Sequence, residues 1–479
     1  MHTIRRICLA VMALFLFVAG AAALDLPVKK VGGRECYVYK VKKNETVYGV
    51  AKHLNLSPEA IIEYNPDALR GLKKNMQLVF PLDVFGPTAE TEIVEQDTLV
   101  VVPEPEPVRP LTSSTIAVML PFGLDKSEPS KLNNLCLDFY KGFLIGADTL
   151  CNRGGDMIEI RAFDTENIGS IAELLQTDSF VARASVIIAP EGIDAIAQIG
   201  EAAAGRGNYV LNLFSIRDTV QQVNPFVVQA NIPQQQMYVL AAEALETQFE
   251  GFRPLILRNT AGRNEKDAFV NFVVGRYRER GIEPLSIDYE GTLHAGVLNE
   301  LPVAAGERYV VIPSSGSLSD FNKMAYVLSN WREKVAAMAI ENTDTNVVPA
   351  VEIFGYPDWT AFRGEALEML HRLGATIYSR FLDNFTGFEA TEFSSAFRRC
   401  YGEPMIESVP TQALLGFDAA NCIIKNLRAN DGAFDPSYPT EYRGVQSTFR
   451  FERSGEGFAN SALYIIRFAP GGRQEARVL

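Results

Sequence analysis

The sequence predicts an α/β protein in two unequal parts, a small β-α-α-β module followed by a two-lobed domain of doubly wound parallel sheet. Three observations carry that expectation. A strand–helix–helix–strand pattern occupies Tyr37–Pro81, and a proline- and glutamate-rich stretch separates it from the rest. From Thr115 onward, short apolar strands alternate with helical stretches. At 479 residues and 47% hydrophobic content, the chain exceeds one ordinary domain and can bury a large core.

In the module, Tyr37–Val41 alternates large and polar residues at period two, the mark of a half-buried strand. Thr46 is placed to cap a helix whose apolar residues Val47, Val50, Ala51 and Leu54 fall at helical spacing. Ser57-Pro58 starts a second helix, with Ile61 and Ile62 as its apolar face, and Asn65-Pro66 stops it. Met76–Phe80 is the closing strand before Pro81. A core this small suits recognition better than catalysis.

These residues resemble a LysM module. Tyr39 and Val41 match its first strand, and Asn44-Glu45-Thr46-Val47 stands where the family carries Gly-Asp-Thr-Leu. Asn65 matches its Asn, and Leu78-x-Phe80-Pro81 matches its close. Asn44 and Asn75 occupy positions usually held by Gly, and Asn tolerates positive φ. The resemblance implies a domain over residues 36–82 that binds N-acetylglucosamine-containing glycan, in bacteria peptidoglycan. It places the groove at Glu45, Thr46, Val47, Asn65 and Pro66, where backbone amides meet acetamido groups and apolar side chains meet sugar faces. Thr46 and Asn65 also fit plain helix caps, and the two roles are compatible.

Ahead of the module, Arg5-Arg6, an apolar run from Ile7 to Val18 and Gly20-Ala21-Ala22-Ala23 read as a signal peptide over residues 1–23. An uncleaved anchor is the alternative, but the second half is mostly Ala and Gly, which favours cleavage. Export to the periplasm or cell envelope follows, with no membrane span after cleavage. Cys36, Cys136, Cys151, Cys400 and Cys422 then remain, an odd number without metal-site spacing. Cys136 and Cys151 flank one predicted helix, roughly 20 Å apart at 1.5 Å per residue, too far to bridge. Cys400 with Cys422 is the one pair worth entertaining, and buried apolar roles suit most of the five. The net charge of −13 argues against nucleic acid and anionic membrane surfaces.

Residues 83–114 form the linker. The Val102–Pro110 run reads as extended polyproline II, and the acidic stretch before it repels itself.

In the large part, Ile116–Leu120 is a buried strand, and Leu135, Phe139, Phe143, Ala147 and Leu150 line one face of a long helix. Strands at Ile158–Phe163, Val186–Ala189 and Tyr209–Leu213 follow, with a helix over Ile193–Ala204. A second series has strands at Leu255–Arg258, Leu285–Tyr289, Tyr309–Ile312 and Val351–Phe354, which makes two lobes.

Residues 115–479 resemble the type 1 periplasmic binding proteins, the class of the branched-chain amino-acid receptors. The resemblance is carried by Ile116–Pro121, Phe139-Tyr140-x-Gly142 with Gly146-Ala147, and Phe163-Asp164-Thr165. Ile187–Pro190, Asn224-Pro225-Phe226 and Gly416-Phe417-Asp418-Ala419-Ala420 follow in the expected order. It implies a small-ligand site between the lobes, at the C-terminal ends of strands, at Pro121, Phe122, Glu191, Gly192, Ser215, Ser314, Ser315 and Tyr356. The same residues also fit ordinary loop caps. The loops Asn212–Arg217 and Asn259–Arg263 depart from the hydroxyl and carboxylate pattern that clamps an amino acid, so that clamp is not carried over.

No catalytic residues, metal ligands or cofactor are assigned. His53, His294 and His371 lie in unrelated contexts, and no HExxH, Gly-x-Ser-x-Gly or Cys-x-x-Cys occurs. Gly205-Arg206-Gly207 lacks a third Gly and precedes a strand, the wrong order for a dinucleotide site. The expectation is a non-enzymatic envelope protein that holds peptidoglycan and binds or senses a small molecule. Its rival is a scaffold or activator whose two lobes contact a cell-wall enzyme.

Overall fold

The computed structural model describes residues 27–31, 34–42, 45–54, 56, 61–62, 64–65, 68, 72–81, 114–154, 157–217, 219–303, 306–341, 349–382 and 387–479. The signal peptide, the linker apart from Ser114, Asn44, the Ser57-Pro58 helix start and Pro66 lie outside the described residues. The chain divides into two compact units, one ending at Glu104 and the other beginning at Pro105.

The first unit is an antiparallel sheet of β1 (Val28–Val31), β2 (Arg34–Lys40) and β3 (Gln77–Pro81), with helix α1 (Val47–Leu54). β2 is central, pairing Tyr39 with Leu78 on one side and Tyr37 with Val28 on the other. β1 carries the short sequence VKKV, which sets up no alternation long enough to read as a strand. Tyr39, Val50, Leu54, Ile61, Leu78 and Phe80 form the core. Asn75 takes φ 70°, the conformation expected of an Asn at a turn usually made by Gly.

The second unit has two lobes, each built on a seven-stranded sheet. Lobe 1 holds β4 (Ser114–Leu120), β5 (Ile158–Asp164), β6 (Val186–Ile188), β7 (Tyr209–Asn212), β8 (Val227–Gln229), β16 (Phe451–Ser454) and β17 (Gly457–Asn460), in the order β16-β17-β8-β7-β6-β4-β5. Every β4 residue is buried because both faces of the sheet are covered. Ile116, Val118 and Leu120 pack with α2 (Lys131–Gly154) and α12 (Gln412–Ala429), while Ala117 and Met119 pack with α5 (Ile193–Ala204). Each large aliphatic side chain so buried contributes roughly 1.5–3 kcal/mol.

Lobe 2 holds β9 (Arg253–Asn259), β10 (Leu285–Tyr289), β11 (Arg308–Pro313), β12 (Ala350–Gly355), β13 (Thr376–Ser379), β18 (Tyr464–Ala469) and β19 (Arg473–Val478), in the order β10-β9-β11-β12-β13-β18-β19. Both sheets are largely parallel, as the doubly wound reading expects, with antiparallel pairs at one end of each. β16 with β17, and β13 with β18 and β19, pair antiparallel, so each sheet ends in a C-terminal hairpin. The chain passes between lobes three times: through Ala230–Pro233, through the segment beginning at Arg380, and through Ser461–Leu463.

Cys400 and Cys422 are both free, the first exposed and the second buried, so the bridge entertained between them is absent. Among the described residues, no helix is long and apolar enough to cross a membrane.

Candidate functional site

In both lobes the strand order reverses direction beside the first strand, β4 in lobe 1 and β9 in lobe 2. Crevices open at the C-terminal ends of strands at such points.

At the end of β4, Pro121 and Phe122 lead into a turn stapled by Asp164. Its Oδ1 accepts the N–H groups of Phe122 (2.9 Å) and Gly123 (3.1 Å), and its Oδ2 accepts that of Leu124 (2.8 Å). Burial pushes the Asp164 carboxyl up, but these donors and the Glu166 N–H outweigh it and hold the group below the usual range. Asn133 on α2 donates to the Pro121 carbonyl (2.8 Å), and the Phe122 ring lies edge-on to Tyr140 (5.6 Å).

Gly192, after β6, has φ 126° and precedes α5; Glu191 beside it is exposed. Ser215 is buried in a polar network. Its N–H donates to Asn212 Oδ1 (3.2 Å) and its carbonyl accepts from Gln229 Nε2, while Gln229 Oε1 accepts from Asn212 Nδ2 (2.7 Å).

In lobe 2 the predicted residues are likewise spent on the protein. Ser314 Oγ donates to Asn264 Oδ1 (2.5 Å), and Ser315 Oγ donates to Glu265 Oε1 (3.1 Å). Tyr356 is fully buried against Phe269, Trp359 and Tyr378, and its hydroxyl donates to the Pro313 carbonyl. Burial pushes that hydroxyl well above its ordinary pKa. A phenol so enclosed supports the ends of β11 and β12 and offers no surface to a ligand.

The space itself lies on lobe 1 and its crossovers. A cavity of about 340 Å³ is lined by α2 (Leu132, Leu135, Cys136), the β7 loop (Leu213, Phe214, Ile216), the α12 start (Gln412, Leu415) and Pro410, with Glu191, Asn231, Arg380 and Phe381. Glu191 is the one predicted residue that lines it. Burial, with the Glu191 and Glu166 carboxylates nearby, pushes the Cys136 thiol up to about 12, so it is an apolar wall and not a thiolate. Arg380 and Gln412 carried no sequence signal, because each becomes part of the site only when β13 and α12 are placed.

In the first unit, Glu45 accepts the Tyr39 hydroxyl (2.8 Å) and the Lys42 N–H (2.6 Å). Despite some burial, these partners hold the Glu45 carboxyl below its usual range. On the Tyr39 side, burial and then Glu45 push the phenol up to about 12. Thr46 is exposed and Val47 half-buried against the core. Asn65 is buried: Nδ2 donates to the carbonyls of Ile61 (3.2 Å) and Val79 (3.1 Å), and Oδ1 accepts the Val79 N–H (2.7 Å). It joins the second helix to β3. Among the described residues, no group of three or more His, Cys, Asp or Glu could hold a metal ion.

No family model and no curated protein matches this sequence. Solved structures do. A protein described as a branched-chain amino acid ABC transporter, from Rhodospirillum rubrum, aligns with 77% of this chain and 100% of its own at 13% identity, with TM-score 0.52. An ABC transporter substrate-binding protein from Desulfitobacterium hafniense, in complex with Leu, aligns with 76% and 100% at 16% identity, with TM-score 0.42. With two lobes, three crossovers and the Rhodospirillum match, the large domain has the two-lobed α/β fold of the type 1 periplasmic binding proteins.

Proposed function

We propose that this chain is an exported binding protein of the cell envelope whose two-lobed domain captures a small molecule beside its interlobe crossovers. The observation that carries this reading is the cavity of about 340 Å³ at the strand ends of lobe 1. It is mostly apolar with a few convergent polar groups, the general character of a small-ligand site. Leu is the ligand of the Desulfitobacterium protein and is not assigned to this chain. Here the amides at the ends of β7 and β9 are spent internally: Asn212 donates to Gln229 and accepts the Ser215 N–H, and Asn259 donates to Asp320.

The first unit is the part we assign to N-acetylglucosamine-containing glycan, in bacteria peptidoglycan. Helix α1 and the helical residues at Ile61, Ile62 and Tyr64 between β2 and β3, with the surface position of Thr46, support this, and Asn65 is the internal staple. Sedimentation with purified peptidoglycan tests the division: residues 27–82 are expected to co-sediment and residues 114–479 to stay in solution. Equal behaviour of the two fragments would refute it. The rival, a scaffold for a cell-wall enzyme, draws on exposed Leu124, Leu132 and Val409 along the segments that flank the cavity. It predicts that no small molecule shifts the melting of the large domain.

A further inference from the structure

We infer that the molecule captured in the lobe-1 cavity is a small organic monoanion, an apolar body bearing one carboxylate, and that Arg380 receives its charge. This rests on the small-ligand reading and gives that ligand a chemical class.

Arg380 directly follows β13, whose four residues are all buried between β12 and β18, so its backbone is fixed at the crossover. Its side chain is half-buried and lines the cavity. The guanidinium makes one long hydrogen bond, Nε to the Ile232 carbonyl at 3.4 Å. Among the described residues, neither terminal nitrogen has an acceptor and no carboxylate lies within ion-pair distance. Elsewhere in lobe 2 three partly buried arginines have carboxylate partners, Arg258 with Asp267 (2.7 Å), Arg276 with Glu246 (2.7 Å) and Arg332 with Glu352 (3.5 Å), while Arg308 lies over the Phe252 ring.

A guanidinium withdrawn from water without a counter-charge is costly, and its planar fork matches a carboxylate. Burial lowers its pKa; Tyr378, Tyr238 and Asp358 act in the opposite direction, and Asp358 already accepts from Lys266 Nζ (2.6 Å). The remaining walls select the rest of the ligand. Leu132, Leu135, Phe214, Ile216, Phe381 and Leu415 offer only apolar surface, so the body is aliphatic or aromatic. Asn231 spends its amide on the Leu213 carbonyl. Glu191, on the same lining, sets a negative charge against any second carboxylate and so disfavours dianions. At about 340 Å³ the space suits a single ring or a short chain, at the small end of ligand cavities.

The test uses the full chain and three matched probe sets: hexanoate and phenylacetate, their uncharged amides, and adipate. Thermal shift and titration calorimetry are the readouts. We expect at least one monocarboxylate to raise Tm and to bind tenfold or more tightly than its amide, with adipate the weakest. Arg380→Gln is expected to lose that tenfold preference without lowering Tm in the absence of ligand, since it removes an unpaired cation. A merely structural arginine would do the reverse. Equal binding of acid and amide, or an unchanged preference in Arg380→Gln, overturns the charge assignment and leaves the small-ligand reading standing. If Arg380→Gln fails to fold, the acid-against-amide comparison on the unaltered chain still decides. Silence from acids and amides alike overturns this inference; the small-ligand reading itself falls only if sugars and nucleosides are silent as well.

Discussion

A Cβ placed on Gly142 would stand 1.9 Å from the carbonyl oxygen of Ala413, so α2 and α12 cross here backbone against backbone. The contact is mutual. A Cβ on Gly416 would stand 2.0 Å from the Phe139 carbonyl, and one on Gly146 would stand 2.8 Å from that of Phe417. Both helices wall the cavity, through Leu132, Leu135 and Cys136 on one and Gln412 and Leu415 on the other. The glycines therefore set the width of the site as well as the helix packing.

Gly142→Ala is accordingly expected to destabilise the large domain by about 2 kcal/mol, since overpacking against backbone outweighs the roughly 1 kcal/mol that Ala gains in a helix. Gly275, inside the helix Asp267–Glu279, has nothing within 4 Å of its Cβ position, so Gly275→Ala is expected to stabilise by about 0.5–1 kcal/mol. Urea unfolding of the two variants reads both signs. A stable Gly142→Ala protein would show that the helices are not locked at this contact.

Asn65→Ala should unfold the module and not merely weaken glycan binding. It removes a buried amide that holds both the N–H and the carbonyl of Val79, and leaves that backbone unsatisfied, at about 1–3 kcal/mol per group. Circular dichroism of residues 27–82 beside a peptidoglycan pull-down checks this. Lost binding with an intact spectrum would return Asn65 to the groove.

Asp418 gives the large domain a pH dependence. Its carboxylate is buried and accepts the N–H groups of Val445 (2.7 Å), Gln446 (2.8 Å) and Ser447 (2.8 Å), yet burial pushes its pKa up to about 7. The folded value lies above the unfolded value of about 3.9, so the folded state binds more protons in that window. The contribution is full below about pH 4 and lost as pH rises through about 7. Asp138, pushed by burial up to about 6, acts in the same sense. Asp418→Asn is expected to flatten this part of the profile. It should also cost about 1–3 kcal/mol near pH 5, because its NH2 must face a backbone N–H. Urea midpoints across the window, in parent and variant, decide; parallel profiles would remove Asp418 as the cause.

Much of the frame was legible in the chain because apolar periodicity reports burial. Leu285–Tyr289 and Ile193–Ala204 end where the pattern ends, and β4 stands out as an unbroken apolar run because both its faces are covered. Gly142, Gly146 and Gly416 stood out too, although their mutual contact appears only in the packed helices. The site was less legible. Ser215, Ser314, Ser315 and Tyr356 have the right chemistry and the right strand ends, but their hydrogen bonds close on neighbouring loops. Arg380 could not be found from sequence, because its significance is that its one acceptor is the Ile232 carbonyl and not a carboxylate, which only three-dimensional placement reveals.

The central claim, that the large domain holds one small molecule, is tested most directly by native mass spectrometry of the full chain purified without denaturation. The account predicts one adduct of at most a few hundred daltons per chain, released on unfolding. A bare mass in every preparation, with no melting shift from carboxylates, amides, sugars or nucleosides, would contradict it.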